Sequence, residues 1–403
     1  MKAPKLRFNE FSDEWNNKKL SEITSAIGDG LHATPSYDNN GSYFFANGSN
    51  IQNGVLKFDE NTKTINYEEF LKYKSKLSQN SILVSLNGAT WGRFGLYNGE
   101  KILLGKSLGY INVQDIFSKN FIYYLLQTKK VRRFFESVTT GSTIKNLSLH
   151  TLRNTELKIP SLIEQKKISD FFILLNKRIQ LQQEKIHLLK HQRRGFIQKI
   201  FKQELRFKDE HGQLFPEWNS IPLSEFSNFF TGKSKNDVIE EKGNFLIMDM
   251  GSVSTEGKII ASKKTDTNKD LLEKGDLIMP KDDIGGGKII GLTAYINQDN
   301  KYILGDHVYL IKMNVNICNP LFAHYQFHSQ YFRKKLKRLV TGSAQLGITS
   351  NNIMKEAFDI PSLAEQNKIA NFLSMFDKKI TFEENRLNLF QIEKQAFMQQ
   401  MFV

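Results

Sequence analysis

Many residues of this sequence could take part in chemistry, but few stand at the spacing that catalysis needs. Gly285-Gly286-Gly287-Lys288 is followed by Ile289, where a phosphate-binding loop needs Ser or Thr, so it reads as a flexible turn. The eight histidines are scattered without ligand spacing, and no His-Glu-x-x-His is present. Asn319-Pro320-Leu321-Phe322 holds the one Asn-Pro and lacks the second proline of an adenine-methyltransferase motif. Asp282-Asp283 has the chemistry to seat a magnesium ion, yet no Glu-x-Lys strand follows to complete a nuclease site. A single cysteine, Cys318, excludes a disulfide framework and a cysteine-rich zinc site, and fits a reducing compartment. What remains is cationic chemistry. Lys129-Lys130-Val131-Arg132-Arg133 and Arg333-Lys334-Lys335-Leu336-Lys337-Arg338 each stand just before a Thr-Gly-Ser triplet, at 140–142 and 341–343. Cations repeated at the same place suit contact with phosphates.

The bulk composition points the same way. The 403 residues suffice for two or three domains, and at 40% hydrophobic and 24% charged the chain can bury real cores. The formal net charge of +14 suggests a polyanionic partner, nucleic acid before membrane. All of that excess lies in residues 1–203; residues 204–403 are balanced. No apolar run approaches the roughly 18–20 residues that span a bilayer. The first ten residues carry no apolar signal core, so a cytoplasmic protein is expected.

Positioning falls to a tandem repeat. Ile159-Pro160-Ser161-Leu162-Ile163-Glu164-Gln165-Lys166-Lys167-Ile168 returns 201 residues later as Ile360-Pro361-Ser362-Leu363-Ala364-Glu365-Gln366-Asn367-Lys368-Ile369. Segments 159–201 and 360–402 align without gaps and share 15 of 43 residues. The register extends upstream, from Phe121, Tyr124 and Arg132 to Phe322, Tyr325 and Arg333. A weaker echo opens each half: Leu6-Arg7-Phe8, Trp15 and Leu20-Ser21-Glu22 return as Leu205-Arg206-Phe207, Trp218 and Leu223-Ser224-Glu225.

Each repeated segment predicts a long helix. Ser161 with Glu164, and Ser362 with Glu365, have capping-box spacing. From there a 3–4 rhythm runs from Ile168 to Ile200 and from Ile369 to Met401, with polar rungs only at Gln182, Arg193, Glu383 and Lys394. A stripe of period 3.5 over more than four heptads is a coiled-coil seam, and about 40 residues at ~1.5 Å each give roughly 60 Å. Two matched stripes in one chain, with a globular block between them, predict an antiparallel intramolecular pair and a pseudo-two-fold repeat. The blocks 1–158 and 204–359 read as strand-rich α/β (α+β) domains, with the spacer helices at 159–203 and 360–403. Ser81–Leu86, Phe94–Tyr97, Gly275–Met279 and Ile289–Tyr295 are candidate strands; 118–136 and 319–338 are one candidate helix each.

This layout resembles the specificity subunit of type I restriction–modification enzymes. The doubled Ile-Pro-Ser-Leu-x-Glu-Gln-x-Lys-Ile and the long helix after it carry the resemblance, supported by Gly28-Asp29-Gly30-Leu31-His32-Ala33-Thr34-Pro35-Ser36-Tyr37 and the Thr-Gly-Ser triplets. Essentially all 403 residues are covered. The second block departs from it, with Phe230-Thr231-Gly232-Lys233-Ser234-Lys235 at the comparable place.

The resemblance implies that each block is a target-recognition domain reading one half of a split double-stranded DNA sequence, and that the coiled coil sets the gap. It implies a non-catalytic chain without a cofactor of its own. Two modification subunits would bring S-adenosylmethionine, and restriction subunits would bring ATP and magnesium. Base edges are read by polar side chains that span them. The candidates in the first block are Asp29, His32, Thr34, Tyr37, Trp91, Arg93, Lys106, Lys145 and Asn146; in the second, Lys233, Lys235, Lys281, Asp282, Lys288, His307 and Gln345. Gln165 and Gln366, at the helix starts, are candidates for partner binding, together with helix faces off the seam. The competing reading is a coiled-coil DNA-bridging module without sequence specificity. It has no need of two blocks that diverge in their middles while the helices match.

Overall fold

The computed structural model describes residues 3–138, 145–283, 286–342 and 345–403. The Thr140-Gly141-Ser142 triplet, and Ser343 of the second, lie outside the described residues. The chain divides into two compact units, residues 1–183 with 386–403, and residues 184–385. The division falls within both long helices, Leu162–Phe201 and Leu363–Gln400.

Unit 1 is built on a four-stranded antiparallel sheet in the order Thr24–Asp29, Leu108–Val113, Ser81–Ser85, Phe94–Leu96. Its two middle strands are buried along their whole length, which explains their unbroken apolar reading. A smaller sheet places Tyr43–Ala46 between Thr64–Ile65 and, in parallel, Ile102–Leu104. Unit 2 repeats the plan, with Ser227–Thr231, Val308–Met313, Leu277–Pro280 and Ala294–Tyr295 in the larger sheet. Its smaller sheet has Phe245–Met248 between Lys264–Thr265 and Tyr302–Leu304.

Two local expectations need correction. The stretch Ile289–Tyr295 is a strand only at Ala294–Tyr295. Gly291 turns the chain at φ +72°, and Ile290 and Leu292 are buried from that turn. Each expected helix at the end of a block is two helices, Lys119–Leu126 with Lys129–Val138, and Pro320–Phe327 with Gln330–Arg338. Thr128 and Ser329 break them: each hydroxyl accepts from the backbone N–H three residues on and starts a new helix.

The capping box forms only in half. Ser161 Oγ and Ser362 Oγ accept from the backbone N–H of Glu164 and Glu365, both at 3.4 Å. The glutamate side chains do not turn back to the cap. Arg7 Nε and Nη2 donate to the two carboxylate oxygens of Glu164, each at 2.8 Å, and Trp15 Nε1 donates at 3.4 Å. In unit 2, Arg206 does the same to Glu365 at 2.9 and 3.0 Å, with Trp218 Nε1 at 3.2 Å. The Leu-Arg-Phe and Trp echo is therefore a clasp on the helix start. A two-stranded ladder beside each clasp, Asn16–Lys19 with Glu156–Ile159 and Asn219–Pro222 with Ala357–Ile360, ties the opening of the half to its end.

Within each unit the two long helices pack antiparallel. In unit 1, Phe171 meets Phe397 at 5.0 Å, Phe172 meets Phe402 at 5.5 Å, and Arg178 lies 3.8 Å from Glu393. In unit 2, Phe196 meets Phe372 and Phe376 at 5.1 and 5.2 Å, Arg193 pairs with Asp377 at 2.6 Å, and Lys185 with Glu383 at 2.5 Å. As residue numbers rise on one helix they fall on the other. All twenty seam rungs are buried or half-buried, the polar Gln182 and Glu383 included.

Candidate nucleic-acid interface

One end of the larger sheet in unit 1 collects most of the candidate residues. Strands Thr24–Asp29, Tyr43–Ala46 and Ser81–Ser85 end there, and the turn Gly105-Lys106-Ser107 joins Ile102–Leu104 to Leu108–Val113 there. The turns pack tightly: a Cβ on Gly30 would overlap the carbonyls of Leu104 and Gly105. Gly232 has the same relation to the Gly305 carbonyl in unit 2, so the divergent Phe230–Lys235 segment keeps the glycine that the close approach requires.

The segment after residue 144 returns to this end. Asn146 bridges Asn87, and Leu147 N–H donates to the Leu86 carbonyl at 2.7 Å. The result is an open cleft of about 500 Å³ lined by Asn47, Asn87, Lys106, Ser107 and Asn146. Ser107 Oγ fixes Asn47 by donating to its Oδ1 at 3.2 Å. Lys106 and Asn146 are thus together, with two amides that the sequence reading missed. Asn47-Gly48 and Asn87-Gly88 are turn signals that could have marked them.

The other candidates of unit 1 separate by exposure. His32 Nε2 donates to Asp29 Oδ2 at 2.7 Å, at the mouth of the first strand. Thr34 and Arg93 are exposed. Tyr37 is exposed and packs edge-on against Phe45 at 5.7 Å, above a second cleft of about 580 Å³. Trp91 belongs to the core at 8% exposure; the exposed Lys145 covers its ring at 5.0 Å and is the group that faces outward.

Unit 2 builds the same end with other side chains. Asp282-Asp283 pairs with Leu346-Gly347, directly after the exposed Gln345. The turn Gly305-Asp306-His307 stands where Gly105-Lys106-Ser107 stands in unit 1. His307 Nδ1 donates to Asp282 Oδ2 at 2.7 Å, and Lys281 N–H donates to the His307 carbonyl at 3.0 Å. Lys233 and Lys288 are exposed. Lys235 is engaged with Asp270 at 2.5 Å and is 12% exposed, so it is not free for a base in this conformation.

The basic helices also need sorting. Lys129, Lys130, Arg132 and Arg133 are exposed in unit 1. In unit 2, Arg333 donates to the carbonyls of Ile290 and Lys288, and Lys335 to that of Ala357 at 2.8 Å, while Lys334, Lys337 and Arg338 remain exposed. Those two cations of the expected phosphate cluster hold the fold instead.

Gln165 and Gln366 do not face a partner. They are 1% and 0% exposed. Gln165 Oε1 accepts from Ser118 N–H at 3.0 Å and Gln366 Oε1 from Asn319 N–H at 2.7 Å, while each Nε2 donates to the carbonyl of Pro160 or Pro361 at 2.9 Å. They join each helix start to the short helix before it. The exposed apolar residues of the long helices lie elsewhere. Leu174, Leu181 and Leu188 are 67%, 55% and 56% exposed at strict heptad spacing. Met375, Phe382 and Leu389, at the same positions of the second copy, are 67%, 64% and 63% exposed. Among the described residues no group of three or more His, Cys, Asp or Glu could hold a metal ion, and no helix is long and apolar enough to cross a membrane.

A profile of the type I restriction modification DNA specificity domain matches residues 12–191 and again 216–391. The MjaVIII type I restriction enzyme specificity subunit of Methanocaldococcus jannaschii is 26% identical over 347 residues, covering 81% of this chain and 79% of its own. The putative MjaX specificity subunit of the same organism is 23% identical over 411 residues, 97% of this chain and 92% of its own. Among solved structures, the type I restriction–modification S subunit from M. genitalium superposes with a TM-score of 0.60 at 19% identity, covering 100% of this chain and 99% of that one.

Proposed function

The chain belongs to the type I restriction–modification DNA specificity family, and we propose that its two units each read one half of a split DNA target for a methylating and cleaving complex. The observation that carries this is the repeated arrangement of turns at one end of each larger sheet, which forms a cleft in unit 1. One backbone plan brings matching turns together in both units, yet places Asn87, Lys106 and Asn146 there in one and Asp282, Asp306 and Gly347, with His307 on Asp282, in the other. A scaffold kept constant under changing hydrogen-bonding groups suits two different base sequences. A bridging module that binds any DNA has no use for the difference.

The long helices then serve two tasks. The buried seam holds each unit to its share of both helices. The exposed apolar side chains of the helices, Leu174 and Leu181 in unit 1 and Met375 and Phe382 in unit 2, offer one docking face per unit for a modification subunit. S-adenosylmethionine belongs on those subunits, and ATP with magnesium on the restriction subunits; this chain supplies the address.

The test is co-expression with the modification subunit of the same system, followed by single-molecule mapping of methylated adenines in genomic DNA. One split motif is expected, and exchanging residues 1–158 for those of a relative should change one half of it alone. Binding to DNA without sequence preference, and with no methyltransferase recruited, would return the chain to the bridging reading.

A further inference from the structure

The matching sheet ends of the two units differ in hydrogen-bond polarity. In unit 1 the position after Ser81–Ser85 carries Asn87, bridged to Asn146. In unit 2 the matching position after Leu277–Pro280 carries Asp282, paired with Gly347. An amide both donates and accepts; a carboxylate only accepts.

Asp282 is held in a fixed orientation. His307 Nδ1–H donates to its Oδ2 at 2.7 Å, and the other ring nitrogen of His307 lies 3.7 Å from Asp306 Oδ2. His307 itself is locked: its backbone sits at φ +61°, its N–H donates to Asp306 Oδ1 at 2.7 Å, and its carbonyl accepts from Lys281 N–H. Oδ1 of Asp282 faces Gly347, where a Cβ would stand 3.1 Å away. Glycine at 347 therefore keeps that second oxygen uncrowded. The Asp282 side chain is 21% exposed and that of His307 48%, so the pair is reachable from outside.

We infer that the Asp282–His307 pair is the specificity determinant for one base of the second half-site, a cytosine whose N4 amino group donates to Asp282 Oδ1. In the major groove cytosine N4 and adenine N6 are the amino donors open to a carboxylate; adenine sets its N7 acceptor beside N6, and guanine and thymine turn only acceptors toward the carboxylate, so cytosine is the base it favours. His307 is a positioning residue: it occupies one carboxylate oxygen and aims the other. Asn87 with Asn146, at the matching place in unit 1, has the donor and acceptor pair that adenine N7 and N6 require.

The inference rests on the proposed DNA-reading role of unit 2, and one experiment separates the two. The full complex is assembled with wild-type chain, with Asp282→Asn and with His307→Asn, asparagine being the side chain that best tolerates the left-handed backbone at 307. Methylation motifs are mapped for each. Wild-type complex that methylates no split motif overturns the DNA-reading role itself. Given a wild-type motif, Asp282→Asn is expected to change a single cytosine position of the half read by unit 2, toward adenine, with discrimination against the original base altered about tenfold or more and the other half untouched. His307→Asn is expected to broaden that same position without choosing a new base. If Asp282→Asn abolishes methylation, the His307→Asn motif decides: a broadened cytosine position supports the pair, and an unaltered motif overturns it. An unaltered motif with both variants also overturns it, as does a change confined to the half read by unit 1.

Discussion

At the scale of single residues, the buried clasps at the helix starts set the most exacting conditions. Glu365 is fully buried and its charge is matched by Arg206, itself 12% exposed. Removing one member of a buried pair strands the other, at a cost of about 3–5 kcal/mol. Arg206→Ala should therefore lower stability by about that amount in urea unfolding, whereas Arg206→Ala with Glu365→Gln should recover a large part of it. A second residue-scale prediction comes from His324 and His328, whose ring centroids lie 4.5 Å apart at a 45° tilt inside unit 2. Burial holds His324 well below the ordinary histidine range, helped by His328 and the Arg193 charge. Burial also pushes His328 down to about 4, with Arg193 and Arg333 adding to it. Both rings are neutral when folded but free to take a proton when unfolded, so the unfolded state binds more protons below about pH 6.5. Stability should be full above that pH and fall progressively toward pH 4. The same positions in unit 1 are Tyr123 and Gln127, which do not titrate there. His328→Gln should flatten the decline, as read by urea midpoints at pH 7.5 and pH 5. At this scale the sequence was partly legible. The turn residues Lys106, Asn146, Asp282 and His307 were picked as polar side chains able to span base edges, and Asp29 also from the motif that carries the resemblance; they lie at one end of their sheets. Trp91 and Lys235 could not be sorted that way, because whether a ring lies in the core or a lysine finds a carboxylate depends on chain segments far away in sequence.

At the scale of elements, legibility follows the range of the forces. The long helices could be read to within a few residues because a heptad stripe declares its period locally. The break at Thr128 and at Ser329 was hidden, since one hydroxyl cap weighs little against an apolar run until the following helix has a surface to pack on. The seam also carries a test that compares its two copies. In unit 2, Asp377 accepts from Tyr325 Oη at 2.5 Å and pairs with Arg193. In unit 1 the matching residues are Asn176, which donates to Tyr124 Oη at 2.7 Å, and Lys394, half-buried and with its pKa pushed down by burial. Unit 1 thus keeps the cation and lacks the carboxylate. Asn176→Asp should restore the triad, with Tyr124 donating as Tyr325 does, and raise stability by about 1 kcal/mol. Asp377→Asn should cost unit 2 about 1–3 kcal/mol. Both are read by thermal melting, and a loss of stability in Asn176→Asp would show that the two ends of the seam are not equivalent.

At the scale of the whole molecule, the two stripes on the long helices explain what stability alone does not. The seam already buries its own rungs, so Leu174, Leu181, Leu188, Met375, Phe382 and Leu389 contribute little to the folded chain. Six large apolar side chains left in water at heptad spacing mark an interaction surface, and the modification subunit proposed above is the partner that would cover them. It also carries a liability, because uncovered stripes attract each other between copies of the chain. The expected behaviour of Leu181→Lys with Phe382→Lys follows from both. The double variant should unfold within about 0.5 kcal/mol of wild type, since exposed positions away from special features rarely matter more. It should aggregate less when expressed alone. It should also fail to capture the modification subunit in a pull-down, and so leave genomic DNA unmethylated, while its recognition ends remain intact. Retained capture by such a variant would place the docking face elsewhere on the chain. Lost capture with an unchanged melting curve would mark these helices as the place where address and chemistry are joined.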